Sequence, residues 1–215
     1  MNAQRKKKLP EESLESIGKA EQTRQKLLRA GADLFSLHGY GVTSTRQIET
    51  AGGVKRNLMT YHFGTKEDFW KACIGKLFDG FTRNLTPAFT ESRDIEPVER
   101  LRFLIRRFVR VSAENPAISR IMLDEGKHND WRLEWIVDNY AGDFYGLIKR
   151  LQNEAIKLSA TPKISPESFY YLLVGSTAIF SMAPECILLT GNDPNKKAMI
   201  DAHANAITNM LITPG

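Results

Sequence analysis

The stretch from Ser44 to Lys66, STRQIETAGGVKRNLMTYHFGTK, constrains this chain more than any other. Ser44 and Gln47 fit a capping box, in which an N-cap hydroxyl and a side chain three residues on satisfy each other's backbone N–H groups. Ile48 and Ala51 then face inward, Gly52-Gly53 supplies a tight turn, and Val54 plugs the core at that turn. A second short helix is predicted from about Lys55 to His62, with Leu58 and Met59 inward and basic and aromatic residues around them. Reading duplex DNA needs this combination: a short helix that enters the major groove, and flanks that hold phosphates. A helical hairpin with no nucleic-acid role is the plainer reading of the same stretch.

The rest of the chain arranges itself around that element. Residues 1–22 read as a flexible basic tail, with a basic run at Arg5–Lys8 that is either solvated or an arm along a DNA groove. Residues 23–38 read as a first helix whose Leu27, Leu28, Gly31, Leu34 and Phe35 share a face; Gly39 stops it and Tyr40 packs back. Thr65 is a plausible N-cap for a fourth helix running towards Pro87, with Glu67 and Asp68 in its first turn. Further helical patterns lie at 97–114, 117–126, 131–159, 166–183 and 195–212, separated by Asn115-Pro116, Thr161-Pro162 and Pro184. No run of alternating strands appears. The expected fold is therefore all-α, about nine helices, with a three-helix head at 23–66 and a helical body at 67–215.

Charge divides the chain in the same place. Residues 1–66 carry 12 Lys and Arg against 6 Asp and Glu, a net +6, while 67–215 carry 18 against 19, a net −1. Basic charge confined to the first third points to a polyanion-binding module there and a neutral one after it. The two cysteines, Cys73 and Cys186, have no CxxC spacing, so neither a disulfide framework nor a zinc site is expected, and a reducing, cytoplasmic location fits. The polar N-terminus has no apolar signal-peptide core. The uncharged run 168–184 is at the short limit for a membrane span and reads instead as a helix buried all round.

With these residues in order, the segment 23–68 resembles the N-terminal domain of the TetR family of bacterial transcriptional regulators. The matching pieces are LLRAGADLFSLHGY, STRQI, AGGV and TYHFGTKEDF. The resemblance implies a sequence-specific DNA-binding regulator, usually a repressor, released from a palindromic operator by a small-molecule effector. It implies that Arg46 reaches a base edge, and that Arg56, Asn57 and Thr60 read the groove from the outward face of the second short helix. Ser44 and Thr45 would hold a phosphate through hydroxyl and backbone N–H groups, Tyr61 and His62 would clamp the backbone, and Lys66 would take a further phosphate. The sequence departs from the common pattern at Lys55, where Ser is usual and where the change adds charge at the groove. It departs also at Asn57 for Gly, Thr60 for Tyr, and Glu49 for Ala, which is expected to turn outward. These departures bear on which operator is read.

A palindromic operator needs a two-fold protein. By the same resemblance, a homodimer would form through the eighth and ninth helices, 166–183 and 195–212, the latter offering Ala198, Ala202, Ala206, Ile207, Met210 and Leu211. A central helix in a monomeric core is the other reading of 166–183. The family's effector pocket lies in the body, where Phe103, Phe108, Met122, Trp131, Trp135, Tyr140, Phe144, Tyr170 and Phe180 are candidate lining residues, each also explicable as core. Arg102, Arg106 and Arg110 form a stripe that suits a salt-bridged face or an anionic ligand. Asp124, Glu125, His128 and Asp130 cluster where a metal or general base is conceivable, and where a polar loop is the simpler account. No catalytic motif is present, so no enzyme activity, cofactor or metal is expected. The alternative function is a helical interaction protein that keeps a vestigial DNA-binding head.

Overall fold

The computed structural model describes residues 11–90 and 95–213, with side chains at 18–85 and 95–213, and contains no β-strand among them. Its chain forms two compact units, divided between Gly75 and Lys76.

The first unit is built on α1 (Glu11–Val42), α2 (Thr45–Ala51), α3 (Leu58–Phe63) and the start of α4 (Lys66–Thr90). Helix α1 begins at Glu11, not at Thr23, so residues 11–22 are helical where a tail is expected. The physical reason is in the sequence: acidic residues crowd its first turns, where the helix dipole favours them, and no proline interrupts it. The run Arg5–Lys8 lies outside the described residues. At Gly39 the backbone leaves the helix with φ 78°, a conformation glycine adopts without strain. Tyr40 then folds back against Phe35, ring centroids 6.0 Å apart, and meets Trp70 edge-on at 6.3 Å. The core consists of Leu27, Phe35, Ile48, Met59, Phe69, Trp70 and Cys73, all at most 3% exposed. Gly31 lets α1 and α4 touch here: a Cβ at that position would stand 2.6 Å from the Phe69 ring and 2.7 Å from Cys73 Sγ.

The second unit is centred on α5 (Pro97–Glu114), which packs against α6 (Pro116–Glu125), α8 (Gly142–Lys157) and α12 (Lys197–Leu211). The helix expected at 131–159 is two, α7 (Trp131–Ile136) and α8, joined by one π turn at Val137–Ala141. The π turn's wider winding shifts the phase of the apolar stripe, a change that periodicity read from the sequence does not register. The helix expected at 166–183 is likewise divided, into α9 (Pro166–Ser176) and α10 (Ala178–Ser181). Pro184 starts rather than ends a helix: it sits in the first turn of α11 (Ala183–Thr190), where its missing N–H costs nothing. Nor is this region buried all round. Phe169 and Leu173 are fully buried, but Tyr171 is 70% exposed, Leu188 87% and Leu189 77%. No single described helix is long and apolar enough to cross a membrane; Pro166–Ser181 and Ala183–Thr190 reach that composition only as a pair bent by 76°.

Candidate nucleic-acid interface

The expected reading residues lie at two helix starts. At α2 the capping box forms: Ser44 Oγ accepts from the Gln47 N–H at 3.2 Å, and Gln47 Oε1 accepts from the Ser44 N–H at 2.8 Å. The Ser44 hydroxyl also lies 2.8 Å from Gln47 Oε1. Both Ser44 donors expected to meet a phosphate therefore serve the cap. Thr45 and Arg46 follow in the first turn, half-buried and exposed respectively, with no side-chain polar partner among the described residues.

Helix α3 starts at Leu58, three residues later than about Lys55, because the chain turns first. Lys55, Arg56 and Asn57 consequently sit on the approach to α3 and not on its outward face, and all three are exposed. Asn57 adopts φ 67° and ψ 3°, the left-handed region that Asn tolerates better than most residues. Glycine would adopt the same backbone without strain. From α3 itself Thr60 and Tyr61 are exposed, Tyr61 at 80%, and the half-buried His62 ring stands between Tyr61 at 5.0 Å and Phe63 at 6.4 Å.

Lys66 is held inside the head. Its ammonium donates to the Tyr40 carbonyl oxygen at 2.6 Å and lies 4.1 Å above the Tyr40 ring. A phosphate at Lys66 would share an ammonium already tied to the end of α1; three N–H donors permit that sharing. Just before it, Thr65 caps α4: its Oγ1 accepts from the Asp68 N–H at 3.0 Å and donates to Asp68 Oδ2 at 2.6 Å. The hydroxyl and backbone hydrogen bonds from Thr65 hold the Asp68 carboxyl below the usual range.

Two head residues were not expected to take part. Glu49 turns inward, 6% exposed, and its Oε1 accepts from the Met59 N–H at 3.0 Å. Arg24 of α1 donates from Nη1 to the His62 carbonyl oxygen at 3.0 Å, with its guanidinium 4.3 Å from the Phe63 ring centroid. For Glu49 the sequence carried no inward signal, since its partner Met59 lies ten residues on, across the glycine turn. For Arg24 no local signal existed, since its partners are 38 residues away.

In the body, the candidate lining residues make several aromatic contacts. Phe108 stacks on Phe144 at 5.1 Å, and Phe144 meets Tyr170 at 6.1 Å. Tyr140 meets Trp135, Phe78 and Asp79, its hydroxyl donating to Asp79 Oδ1 at 3.1 Å. Burial first, and that bond second, push the Tyr140 phenol up to about 12. Burial and the neighbouring Tyr171 take Tyr170 to about 12 as well. Phe180 packs on His203 at 5.6 Å, Met122 and Trp131 are half-buried, and Phe103 is 41% exposed. The arginine stripe is largely a salt-bridged face: Arg102 meets Glu99 at 3.1 Å and Arg110 meets Asp201 at 2.9 Å.

The acidic cluster at 124–130 is committed elsewhere. Arg132 pairs with the buried Glu125 at 2.6 Å and with Asp130 at 2.9 Å, and Asp130 caps α7 by accepting from the Arg132 N–H. Among the described residues no group of three His, Cys, Asp or Glu could hold a metal ion.

Comparison with known proteins adds to this geometry. Residues 27–73 match the family model for bacterial regulatory proteins of the tetR family. Among solved structures, a linker-substituted variant of HlyIIR superposes with a TM-score of 0.70 at 23% identity, covering 90% of this chain and 99% of its own. AibR, solved with isovaleryl coenzyme A and operator DNA, gives 0.71 at 18% identity, covering 90% of this chain and 100% of its own. A tetR-family regulatory protein from Rhodococcus RHA1 gives 0.69 at 17% identity, covering 88% and 96%. No curated protein matches by sequence.

Proposed function

We propose that this chain, which matches the family model for bacterial regulatory proteins of the tetR family at residues 27–73 and shares the fold of HlyIIR, is a homodimeric, cytoplasmic repressor released from a palindromic operator by a small-molecule effector. On this reading the chain is a DNA-binding transcriptional regulator rather than an enzyme. The observation that carries the finer reading is the pairing of Arg46, on a fully formed capping box, with the exposed Lys55, Arg56, Asn57 and Thr60 around the start of α3. Arg46 would read a base edge, Arg56, Asn57 and Thr60 neighbouring bases, and Thr45, Lys55, Tyr61 and His62 phosphates.

Dimerisation is supported by the exposed apolar side chains of α9 to α12. Tyr171, Leu172, Ile187, Leu188, Leu189 and Met210 are all over 40% exposed, and Ala198, Ala202 and Ala206 lie exposed at intervals of four along α12. Ile207 and Leu211 are buried within the chain at 8% and 1%, so they support the face from beneath. An effector site in the body is supported by AibR, a protein of this fold that binds isovaleryl coenzyme A as well as operator DNA. Effector binding would act through α4, the helix that runs unbroken out of the head, by favouring a head spacing that no longer fits the operator.

Selection of duplexes from a random pool, followed by titration with salt, tests the DNA reading. Wild-type affinity should fall steeply with salt. Arg46→Ala should lose about 1–3 kcal/mol of discrimination at one base position. Failure to enrich any duplex would favour the vestigial-head alternative.

A further inference from the structure

Helix α3 is only six residues long, and helices this short do not hold their shape alone. Its first residue follows Asn57, whose left-handed backbone leaves no side-chain cap. The missing cap is supplied from α2. The buried Glu49 carboxylate accepts from the Met59 N–H, one of the donors that a helix start leaves without a partner. The other end is served from α1, where the Arg24 guanidinium donates to the His62 carbonyl oxygen and covers the Phe63 ring. An anion therefore stands at the N-terminus of α3 and a cation at its C-terminus, the arrangement a helix dipole favours at both ends.

Neither group is free to read DNA. Glu49 is 6% exposed and carries the wrong charge to approach a phosphate, and Arg24 is engaged with a carbonyl and an aromatic face. We propose that Glu49 and Arg24 are positioning residues for sequence readout: together they clamp the reading helix at its two ends and fix its pose without touching DNA. The inference rests on the DNA-binding reading above and assigns to it two residues outside the contact surface.

Pose and charge leave different signatures. Base-edge hydrogen bonds fail with small changes in helix direction, whereas phosphate contacts set the salt dependence. Binding is compared between a duplex that the wild-type protein selects from a random pool and a random-sequence duplex of equal length. Glu49→Ala and Arg24→Met should each lower the preference for the selected duplex about five- to tenfold, the factor matching one lost helix cap, with the salt slope unchanged. Glu49→Gln keeps an oxygen acceptor and should retain most of the preference. Amide hydrogen exchange reads the clamp without DNA: in Glu49→Ala the Met59 N–H should exchange faster while Leu27 and Leu28 in α1 stay protected.

An unchanged preference in both variants overturns the proposal, and so does unchanged protection at Met59. A salt slope lowered by about one in Arg24→Met would make Arg24 a phosphate contact and overturn its positioning role. If Glu49→Ala unfolds the head, Glu49→Gln and Arg24→Met decide the question by the same ratio. If the wild-type protein selects no duplex, the DNA reading fails, and exchange at Met59 still tells whether Glu49 holds the helix.

Discussion

Head and body bury similar cores of Leu, Ile and Phe, yet they leave opposite surfaces outside. Around the starts of α2 and α3 the exposed side chains include Arg46, Lys55, Arg56, Asn57 and Thr60, which hydrogen-bond or carry charge. Across α9 to α12 they include, among polar ones, the large apolar Leu172, Leu188, Leu189 and Met210 and the aromatic Tyr171. Water tolerates the first set indefinitely. The second is the kind of contiguous apolar exposure that a chain conceals against another surface. The buried atoms explain why each region folds; on the proposed function the exposed ones meet a polyanion at the head and an apolar face at the body.

The largest effect should come from charging the apolar face. Leu172→Asp combined with Ala202→Asp should halve the mass seen by sedimentation equilibrium. By loss of avidity it should weaken binding to a two-fold duplex by about 10²- to 10⁴-fold. A mass unchanged from wild type would mean that the body does not pair through this face, and the contrast between the regions would lose its explanation.

A smaller effect sharpens the contrast from inside the head. Gly31→Val places a side chain against Phe69 and Cys73, where even a Cβ has no room. Overpacking of this kind costs about 1–3 kcal/mol. Cys73 is 1% exposed and in no disulfide, so thiol labelling under mild denaturant should accelerate at Cys73, while Cys186, half-buried in the body, labels at its wild-type rate. Equal acceleration at both would show that head and body unfold together.

The smallest effect is in the body's own titration. Tyr140 has its phenol raised from 10.0 to about 12, so the folded state favours the neutral form. Its contribution to stability is complete below pH 10, the unfolded value, and is lost as pH rises through about 12. Alkaline absorbance titration should show late-ionising tyrosines, one of which Tyr140→Phe removes while Tyr170 remains; no loss of late-ionising absorbance in Tyr140→Phe would remove the Tyr140–Asp79 bond from the account.

The sequence made the head legible because its signals are local. The capping box at Ser44 and Gln47, the break at Gly39 and the cap at Thr65 each depend on residues within four positions. Where two remote segments meet, local pattern had nothing to say. Glu49 was expected outward; the Met59 N–H ten residues on finds it turned inward. Lys66 was expected on a phosphate, and its link to the Tyr40 carbonyl spans 26 residues. The body was less legible for the same reason. Its helices were recognisable by apolar period, but a π turn at Val137–Ala141 and breaks at Thr177 and Met182 interrupt them without a proline or glycine signal at the break itself.

By itself, the sequence determined that the chain is all-α, that its net basic charge is concentrated in the first third, and that a capped helix carrying Arg46 precedes a glycine turn, a basic segment and a short helix. These follow from propensity, period and charge, which act between near neighbours. Only the tertiary structure decided that α3 starts at Leu58 behind a left-handed Asn57, that Glu49 and Arg24 hold its ends, and that Tyr171, Leu172, Leu188, Leu189 and Met210 remain outside while Phe169, Leu173 and Leu211 are buried. A buried N–H takes whatever acceptor the fold brings to it, and a helix buries whichever face its neighbours cover. Both outcomes depend on contacts between segments distant in the chain, so neither could be read from any one segment.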